Sequence, residues 1–352
     1  MTSDAKQLAP ALNAWYVKGA RDLPWRRTRD PYKIWISEVM LQQTTVPTVI
    51  PYYKKWTQDY LTVKHVAGAS LERILKSWQG LGYYQRARNI HKAAKLIVEK
   101  YSARIPDDYE TLRTIPGFGP YTAGAVLSIA FDKRYPIVDA NIRRVVMRLL
   151  AIKKQATAQV DKDVYAYLDK IMPKRNLRTF NQALMELGAL VCKNKEPLCS
   201  MCPIKDRCKA FKRGIQELIP QRKEKLTHEI DVAVGIMERS DKFFIQKRPP
   251  KGLLAGLWEF PGGKVKKGET HRQALKRELK EELGITVKDA AFLTRIKHFY
   301  TKYKVNLYAY LCNTEAVLFE DRNKKWVGKG EFFRYPMPSG TAKLVKHLED
   351  TL

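Results

Sequence analysis

Through the first two thirds of the chain, apolar residues recur at helical spacing with little strand-like alternation. Residues 1–30 predict a helix followed by an extended Arg21-Asp22-Leu23-Pro24-Trp25-Arg26 segment. Tyr32–Thr44 predicts a second helix, and Pro47 suits the first turn of a third. Residues 48–112 and 141–190 continue in helical period, separated by short breaks. Past residue 228 the period changes. Ile230–Met237, Phe243–Lys247 and Val305–Cys312 are short apolar runs of strand character, with one amphipathic helix over Thr270–Leu283 between them. The pattern predicts an all-α domain over residues 1–212, a polar, basic linker with Pro220 inside it over 213–228, and an α+β domain over 229–352.

Two breaks in the helical part stand out. At Ile115-Pro116-Gly117-Phe118-Gly119 two glycines precede an apolar helix. Backbone N–H groups unobstructed by Cβ atoms, next to a positive helix N-terminus, suit a phosphate, although Pro-Gly-x-Gly is also an ordinary helix–helix connection. The helix leads to a single carboxylate, Asp139. At Trp78-Gln79-Gly80-Leu81-Gly82-Tyr83-Tyr84-Gln85-Arg86 the chain offers either a flexible loop presenting an aromatic beside a phosphate backbone, or a helix cap with its tyrosines packed inward.

Charge sharpens this picture. With 65 lysines and arginines against 36 acids, the net charge of +29 indicates a polyanionic partner, most simply nucleic acid. The N-terminus lacks the features of a signal peptide, and no apolar run approaches a membrane span, so an intracellular, cytoplasmic, soluble chain with no membrane partner is expected. Four of the five cysteines form Cys192-x6-Cys199-x2-Cys202-x5-Cys208. A structural zinc is one reading. The compact run with a single C-x2-C favours a [4Fe–4S] cluster.

Glu38 sits among Ile36, Val39 and Met40. It is either a solvent-facing acid or a buried one, and burial would raise its pKa and suit it to general-acid work. In the second domain, Gly263-x5-Glu269-x7-Arg277-Glu278-Leu279-Lys280-Glu281-Glu282 puts Glu278, Glu281 and Glu282 at i, i+3 and i+4, on one helix face. A solvated acidic face is the ordinary meaning of such a cluster. The glycine loop ahead of it favours a hard divalent cation, Mg2+ or Mn2+.

These stretches carry two resemblances. SEVMLQQT, WQGLGYYQRARNIH, IPGFGPYTAGAVLSIAF, YPIVDAN, FNQALMELGALVC and the four-cysteine loop make residues 15–210 similar to the MutY-type adenine DNA glycosylases of the helix-hairpin-helix superfamily. Residues 229–350 resemble the Nudix-type domain at the C-terminus of such proteins. In most of them the hydrolase signature has decayed, whereas LWEFPGGKVKKGETHRQALKRELKEELGI keeps the full box and is similar to MutT, the 8-oxo-dGTP pyrophosphohydrolase.

The resemblance implies a monomeric base excision repair enzyme on double-stranded DNA containing A:8-oxoguanine or A:G mismatches, and leaves two readings of the C-terminal domain: recognition of 8-oxoguanine with a fossil box, or a second active site that also hydrolyses oxidised nucleoside triphosphates such as 8-oxo-dGTP. Glu38 would protonate the flipped adenine, Asp139 would stabilise the oxocarbenium-like sugar, and Tyr121 would help hold Asp139. Asn141 matches the asparagine after the aspartate, with Ala140 in place of the usual glycine. Arg21, Arg26 and Gln182 would line the adenine pocket. Gly117 and Gly119 would grip the strand. Gln43 and Tyr83, with Thr44 and Leu81 nearby, would wedge beside 8-oxoguanine, and Thr301 of Tyr300-Thr301-Lys302 would read it, with Lys302 where a histidine is usual. In endonuclease III-type relatives the Tyr121 position is a Schiff-base lysine, so this chain should be a glycosylase without strong lyase activity. Two rival readings are a Nudix hydrolase with a DNA-tethering arm and a catalytically dead DNA-binding module. Either would leave the pairing of Glu38 with Asp139 incidental.

Overall fold

The computed structural model describes residues 3–221, 227–300 and 303–351, with side chains from Gln7 onward. It divides into two compact units: Met1–Gly68 with Asn89–Glu224, and Ala69–Arg88 with Lys225–Leu352. The chain therefore leaves the first unit at Gly68 and rejoins it at Asn89.

The helices in chain order are α1 Ser3–Gly19, α2 Pro31–Met40, α3 Val46–Asp59, α4 Val63–Gly68, α5 Leu71–Ser77, α6 Gln85–Lys100, α7 Tyr109–Thr114, α8 Pro120–Phe131, α9 Ala140–Leu150, α10 Ala158–Ile171, α11 Leu177–Leu190 and α12 Lys209–Lys212. Most starts are legible in the sequence. Asp30, Asp108, Asp139 and Thr157 each cap a helix by accepting a backbone N–H from its first turn. Pro120 occupies the first turn of α8. The segment expected to be extended between Arg21 and Arg26 instead ends in a short 3-10 turn, Pro24–Arg26, which buries Trp25.

α8 is apolar almost all round and buries Thr122 through Ile129, so it is the central helix of the unit. α11 packs against both α8 and α9: a Cβ on Gly188 of α11 would lie 2.6 Å from Asn141 Cβ. The stretch expected to be a linker is packed at its start. Ile219 is 1% exposed within the first unit's core, and its carbonyl accepts from Arg148 at 2.9 Å. Residues 222–226 lie outside the described part.

The second unit holds β1 His228–Ile236, β2 Glu238–Arg239, β3 Lys242–Lys247, β4 Trp258–Glu259, β5 Gly262–Lys264, α13 His271–Leu283, β6 Asp289–Tyr300, β7 Tyr303–Asn313, β8 Lys324–Gly328 and α14 Ser339–Thr351. One sheet runs β5-β1-β7-β6, with β1 and β7 parallel and the other pairs antiparallel. The other joins β2, β3 and β4, with β8 also pairing β3. Side-chain alternation feeds two cores. Val234, Ile236, Leu307 and Ala309 pack toward Phe243 and α14, while Ala233, Tyr310 and Cys312 pack toward Leu275 and Leu279 of α13. Thr270 caps α13 through a full capping box with Gln273, and Gly284 ends it in the left-handed conformation. The expected order of an all-α part followed by an α+β part is what the chain forms.

Candidate active site of the first unit

Three elements deliver three acids or phenols to one place. α2 buries seven of its consecutive residues from Ile34 to Met40, Glu38 included at 4% exposure. α8 begins at the glycine turn, so Tyr121 falls in its first turn, and its hydroxyl donates to Glu38 Oε2 at 2.5 Å. α9 begins at Asp139. Its carboxylate accepts the Ile142 N–H at 2.7 Å and the Asn141 amide at 2.9 Å. Tyr121 thus holds Glu38 rather than Asp139, contrary to the role expected of it. Asp139 is oriented by its own helix, because capping needs an acceptor at that position.

Burial pushes the Glu38 carboxyl up to about 7, opposed by the Tyr121 hydrogen bond and reinforced by the negative charge of Asp139. Tyr121 is pushed well above its ordinary value by burial and by both carboxylates, so it stays protonated, and its hydroxyl donates to Glu38. One carboxyl is therefore poised to carry a proton near neutrality beside a second, helix-held carboxylate.

Glu186 was not singled out by sequence reasoning, although it lies inside FNQALMELGALVC. It is fully buried on α11 and accepts from the Arg21 backbone N–H at 3.0 Å, from Arg21 Nε at 2.9 Å and from Arg26 Nη2 at 2.7 Å. Burial works to raise its pKa, but the arginines outweigh it and hold the carboxylate down at about 2. Its only sequence signal was an acid on the apolar face of an amphipathic helix. Gln182, one turn earlier, accepts from Tyr16 at 2.8 Å, and Arg26 stacks over the Tyr16 ring. Arg21, Arg26 and Gln182 are brought together, organised by Glu186 and Tyr16.

At the glycine turn only Gly117 is conformationally demanded. Its φ is +85°, and a Cβ there would meet Asn89 Cβ at 2.9 Å. Gly119 is extended, with open space where a Cβ would project. Phe118 between them is buried and stacks on Trp35 at 5.0 Å. Gln43 is exposed with a left-handed φ of 59°, and Thr44 turns its hydroxyl back toward the Gln42 carbonyl.

The cysteine loop is tied to α9. Arg148, 1% exposed, donates to Cys192 Sγ at 3.3 Å and to the Lys193 carbonyl at 2.6 Å. Arg144 links Asn141, at 2.9 Å, to the Cys192 carbonyl, at 2.8 Å. Cys199, Cys202 and Cys208 each lie within electrostatic reach of the other thiols and of Cys192. Among the described residues, however, no three Cys, His, Asp or Glu side chains converge tightly enough to share one metal ion.

In the second unit, a cavity of about 630 Å³ opens beside the glycine loop and α13. Glu278 lies where a Cβ on Gly263 would be, 2.3 Å from its carboxyl carbon. Glu282 accepts from the Gly262 N–H at 3.0 Å and from Gln246 at 2.6 Å. Both line the cavity. Glu281 does not: its side chain is 55% exposed and reaches only Arg277, at 3.4 Å. The three acids expected to act together are split, because i+3 and i+4 leave Glu281 on the flank of the buried face. Arg277 is the hub of the box, clamped by Glu269 and Glu278 at 2.7 and 2.6 Å. Glu259, also missed from sequence, lines the same cavity and binds Arg248 at 2.6 Å. Burial, against the Arg248 charge and with added repulsion from Glu282, pushes it up to about 7.

Of the expected wedge residues, Gln43 and Thr44 belong to the first unit and Leu81 and Tyr83 to the second. Leu81 is buried, at 5% exposure, whereas Tyr83 is exposed with a left-handed φ of 47°. Thr301 and Lys302 lie outside the described residues.

Residues 36–174 match the HhH-GPD superfamily of base excision DNA repair proteins, and residues 232–347 match a NUDIX domain. Together with the helical first unit, this defines a helix-hairpin-helix DNA glycosylase joined to a Nudix domain. The chain is 31% identical over 406 residues to the adenine DNA glycosylase of Mus musculus, spanning 99% of this chain and 79% of that protein. It is 36% identical over 252 residues to the adenine DNA glycosylase of Buchnera aphidicola subsp. Schizaphis graminum, spanning 71% and 73%. The chain belongs to the adenine DNA glycosylase family, enzymes of base excision repair that hydrolyse an N-glycosidic bond in DNA.

Among solved structures it is similar to a thermostable thymine-DNA glycosylase, with 28% identity and a TM-score of 0.55 over 60% of this chain and 97% of that one. It is likewise similar to the protein of a trapped endonuclease III–DNA covalent intermediate, with 26% identity and a TM-score of 0.52 over 61% and 100%. Among the described residues no helix is long and apolar enough to cross a membrane.

Proposed function

We propose that this chain removes adenine mispaired with 8-oxoguanine or guanine in duplex DNA, with residues 1–212 as the glycosylase domain and 229–352 as the Nudix domain. The observation that carries the chemistry is the Tyr121–Glu38 hydrogen bond at 2.5 Å beside the capped Asp139. With its pKa near 7, Glu38 is protonated in a useful fraction at neutral pH and donates to the extruded adenine, making the base a leaving group. Asp139, an acceptor fixed by Asn141 and Ile142, faces the developing sugar cation and stabilises it electrostatically. Arg21, Arg26 and Gln182, set by Glu186, form the polar wall for the base. With a tyrosine where a Schiff-base lysine would stand, the product is an abasic site in an unbroken strand.

Cys192, Cys199, Cys202 and Cys208 would hold a [4Fe–4S] cluster, which when bound would cross-link the loop as thiolate–iron bonds. Arg148 and Arg144 join that loop to α9 and so to Asn141. The test is release of free adenine from a duplex with A opposite 8-oxoguanine. Asp139→Asn should abolish it while duplex binding persists, and adenine release at the wild-type rate from Asp139→Asn would refute the assignment.

A second reading concerns the Nudix box. Two carboxylates on the wall of a 630 Å³ cavity, with Glu259 beside them, favour a divalent cation and a nucleotide there. Mg2+ or Mn2+ at Glu278 and Glu282 would neutralise phosphate charge during hydrolysis of an oxidised nucleoside triphosphate. Turnover of 8-oxo-dGTP with Mg2+, lost in Glu282→Gln, is the expected result. No turnover by the wild-type protein leaves the unit with base recognition alone.

A further inference from the structure

Arg143 and Arg144 follow Asp139 in the first turns of α9, and neither pairs with it. Among the described residues the Asp139 carboxyl accepts from the Asn141 amide and the Ile142 N–H, both neutral donors, and makes no ion pair. Arg144 is turned toward the Gly188 and Cys192 carbonyls and Asn141. Arg143 is the more telling case. It lies one turn beyond Asp139, its N–H donating to the Asp139 carbonyl at 2.9 Å. An acid four residues ahead of an arginine ordinarily gives a side-chain ion pair on a helix. Here the guanidinium goes to Asp161 of α10 instead, Nε donating to Oδ1 and Nη2 to Oδ2, the latter at 2.8 Å.

That diversion is built into the packing. Thr157 caps α10, and Asp161 falls in its first turn. Val160 and Val164, on either side of Asp161 in sequence, are buried in the core that also holds Val145, Val146 and Leu149 of α9. Asp161 is therefore fixed beside α9 by its buried neighbours. The pair is partly buried, with side chains 24% and 28% exposed. Two parallel N–H donors on one carboxylate are the strong form of arginine pairing, which holds Arg143 against the acid nearer in sequence.

The separation bears on the chemistry through charge. A sugar losing its base becomes cationic, and a guanidinium seated on Asp139 would repel it. We propose that Asp161 is a positioning residue for adenine release: it draws Arg143 off Asp139 and leaves that carboxyl with neutral partners alone. Asp161 touches no substrate and acts through Arg143. This inference rests on the adenine-release reading above.

Asp161→Asn keeps the shape of the side chain and removes the charge that holds Arg143. Single-turnover adenine release from a duplex with A opposite 8-oxoguanine should then fall about tenfold, or about 1.4 kcal/mol on the barrier. Arg143→Gln alone should release adenine at the wild-type rate, and adding Arg143→Gln to Asp161→Asn should restore that rate. Asp161→Ser makes the same removal with a smaller side chain, and the same loss and rescue are expected of it. Rates are read at saturating enzyme, where a lower folded fraction leaves the rate constant unchanged. An ion pair that serves stability alone is missing equally from Asp161→Asn and from the double variant, so it gives no rescue. Release at the wild-type rate from Asp161→Asn and Asp161→Ser, or a double variant as slow as Asp161→Asn, overturns the proposal. A wild-type chain that releases no adenine overturns the adenine reading, and this inference with it.

Discussion

Tyr121 donates its hydroxyl to Glu38 at 2.5 Å from the first turn of α8, across 83 residues of sequence. A phenol that donates to a carboxyl favours the ionised form, which is the stronger acceptor. Tyr121 therefore moderates the upward push of burial on Glu38 rather than causing it.

The pH dependence follows in sign. Glu38 must be protonated to act as general acid, so single-turnover adenine release should fall as pH rises through about 7. Tyr121→Phe removes the contact that lowers the Glu38 pKa, so the falling limb should move to higher pH. A pH–rate profile measures this, and a limb shifted to lower pH contradicts the assignment.

Tyr121→Lys should create strand cleavage. An amine in this buried position loses some of its charge to desolvation, which frees a lone pair for attack on the sugar C1′. Borohydride trapping should then yield a protein–DNA adduct absent from the wild type. No adduct would place Tyr121 away from the reacting sugar.

Glu186→Ala should destabilise the first unit by about 3 kcal/mol, because it leaves Arg21 and Arg26 without the carboxylate they share. The pH window is set by the depressed pKa. The carboxylate's contribution is present above its usual value near 4.5 and is lost as pH falls toward about 2. Thermal unfolding of Glu186→Gln and wild type should therefore converge as pH drops through that range. A gap that widens on acidification would refute this account.

Gly188→Ala should cost about 1–3 kcal/mol and slow adenine release. The added methyl would press on Asn141 Cβ and on its backbone at 3.0 Å, moving the helix start that orients Asp139. Differential scanning calorimetry with single-turnover kinetics tests both effects. Unchanged stability would mean α9 and α11 can separate freely.

DNA affinity should fall steeply with salt, on the order of a thousandfold between about 50 and 200 mM for six or so phosphate contacts. The net charge of +29 motivates this. A flat response in a filter-binding or fluorescence titration would contradict it.

Much of the fold was legible because its signals are local. Helical period, Asp and Thr caps, Pro at first turns and the change to strand runs beyond residue 228 each act within a few residues. Glu38, Asp139, Tyr121, the four cysteines and the Nudix box were legible as residue types at fixed spacing, with their roles coming from resemblance. Tertiary structure alone decided which partner each would take. Tyr121 takes Glu38, 83 residues away. Glu186 gathers two arginines from more than 150 residues away. Glu281 turns out of the cavity that Glu278 and Glu282 enter. Likewise, nothing between Ala69 and Arg88 announces that it forms one compact unit with Met337 and Trp258. Burial and long-range pairing depend on elements distant in sequence meeting in space. The glycine turn and its acid are thus written in the chain, whereas the burial and the partner that shift Glu38 exist only in the folded protein.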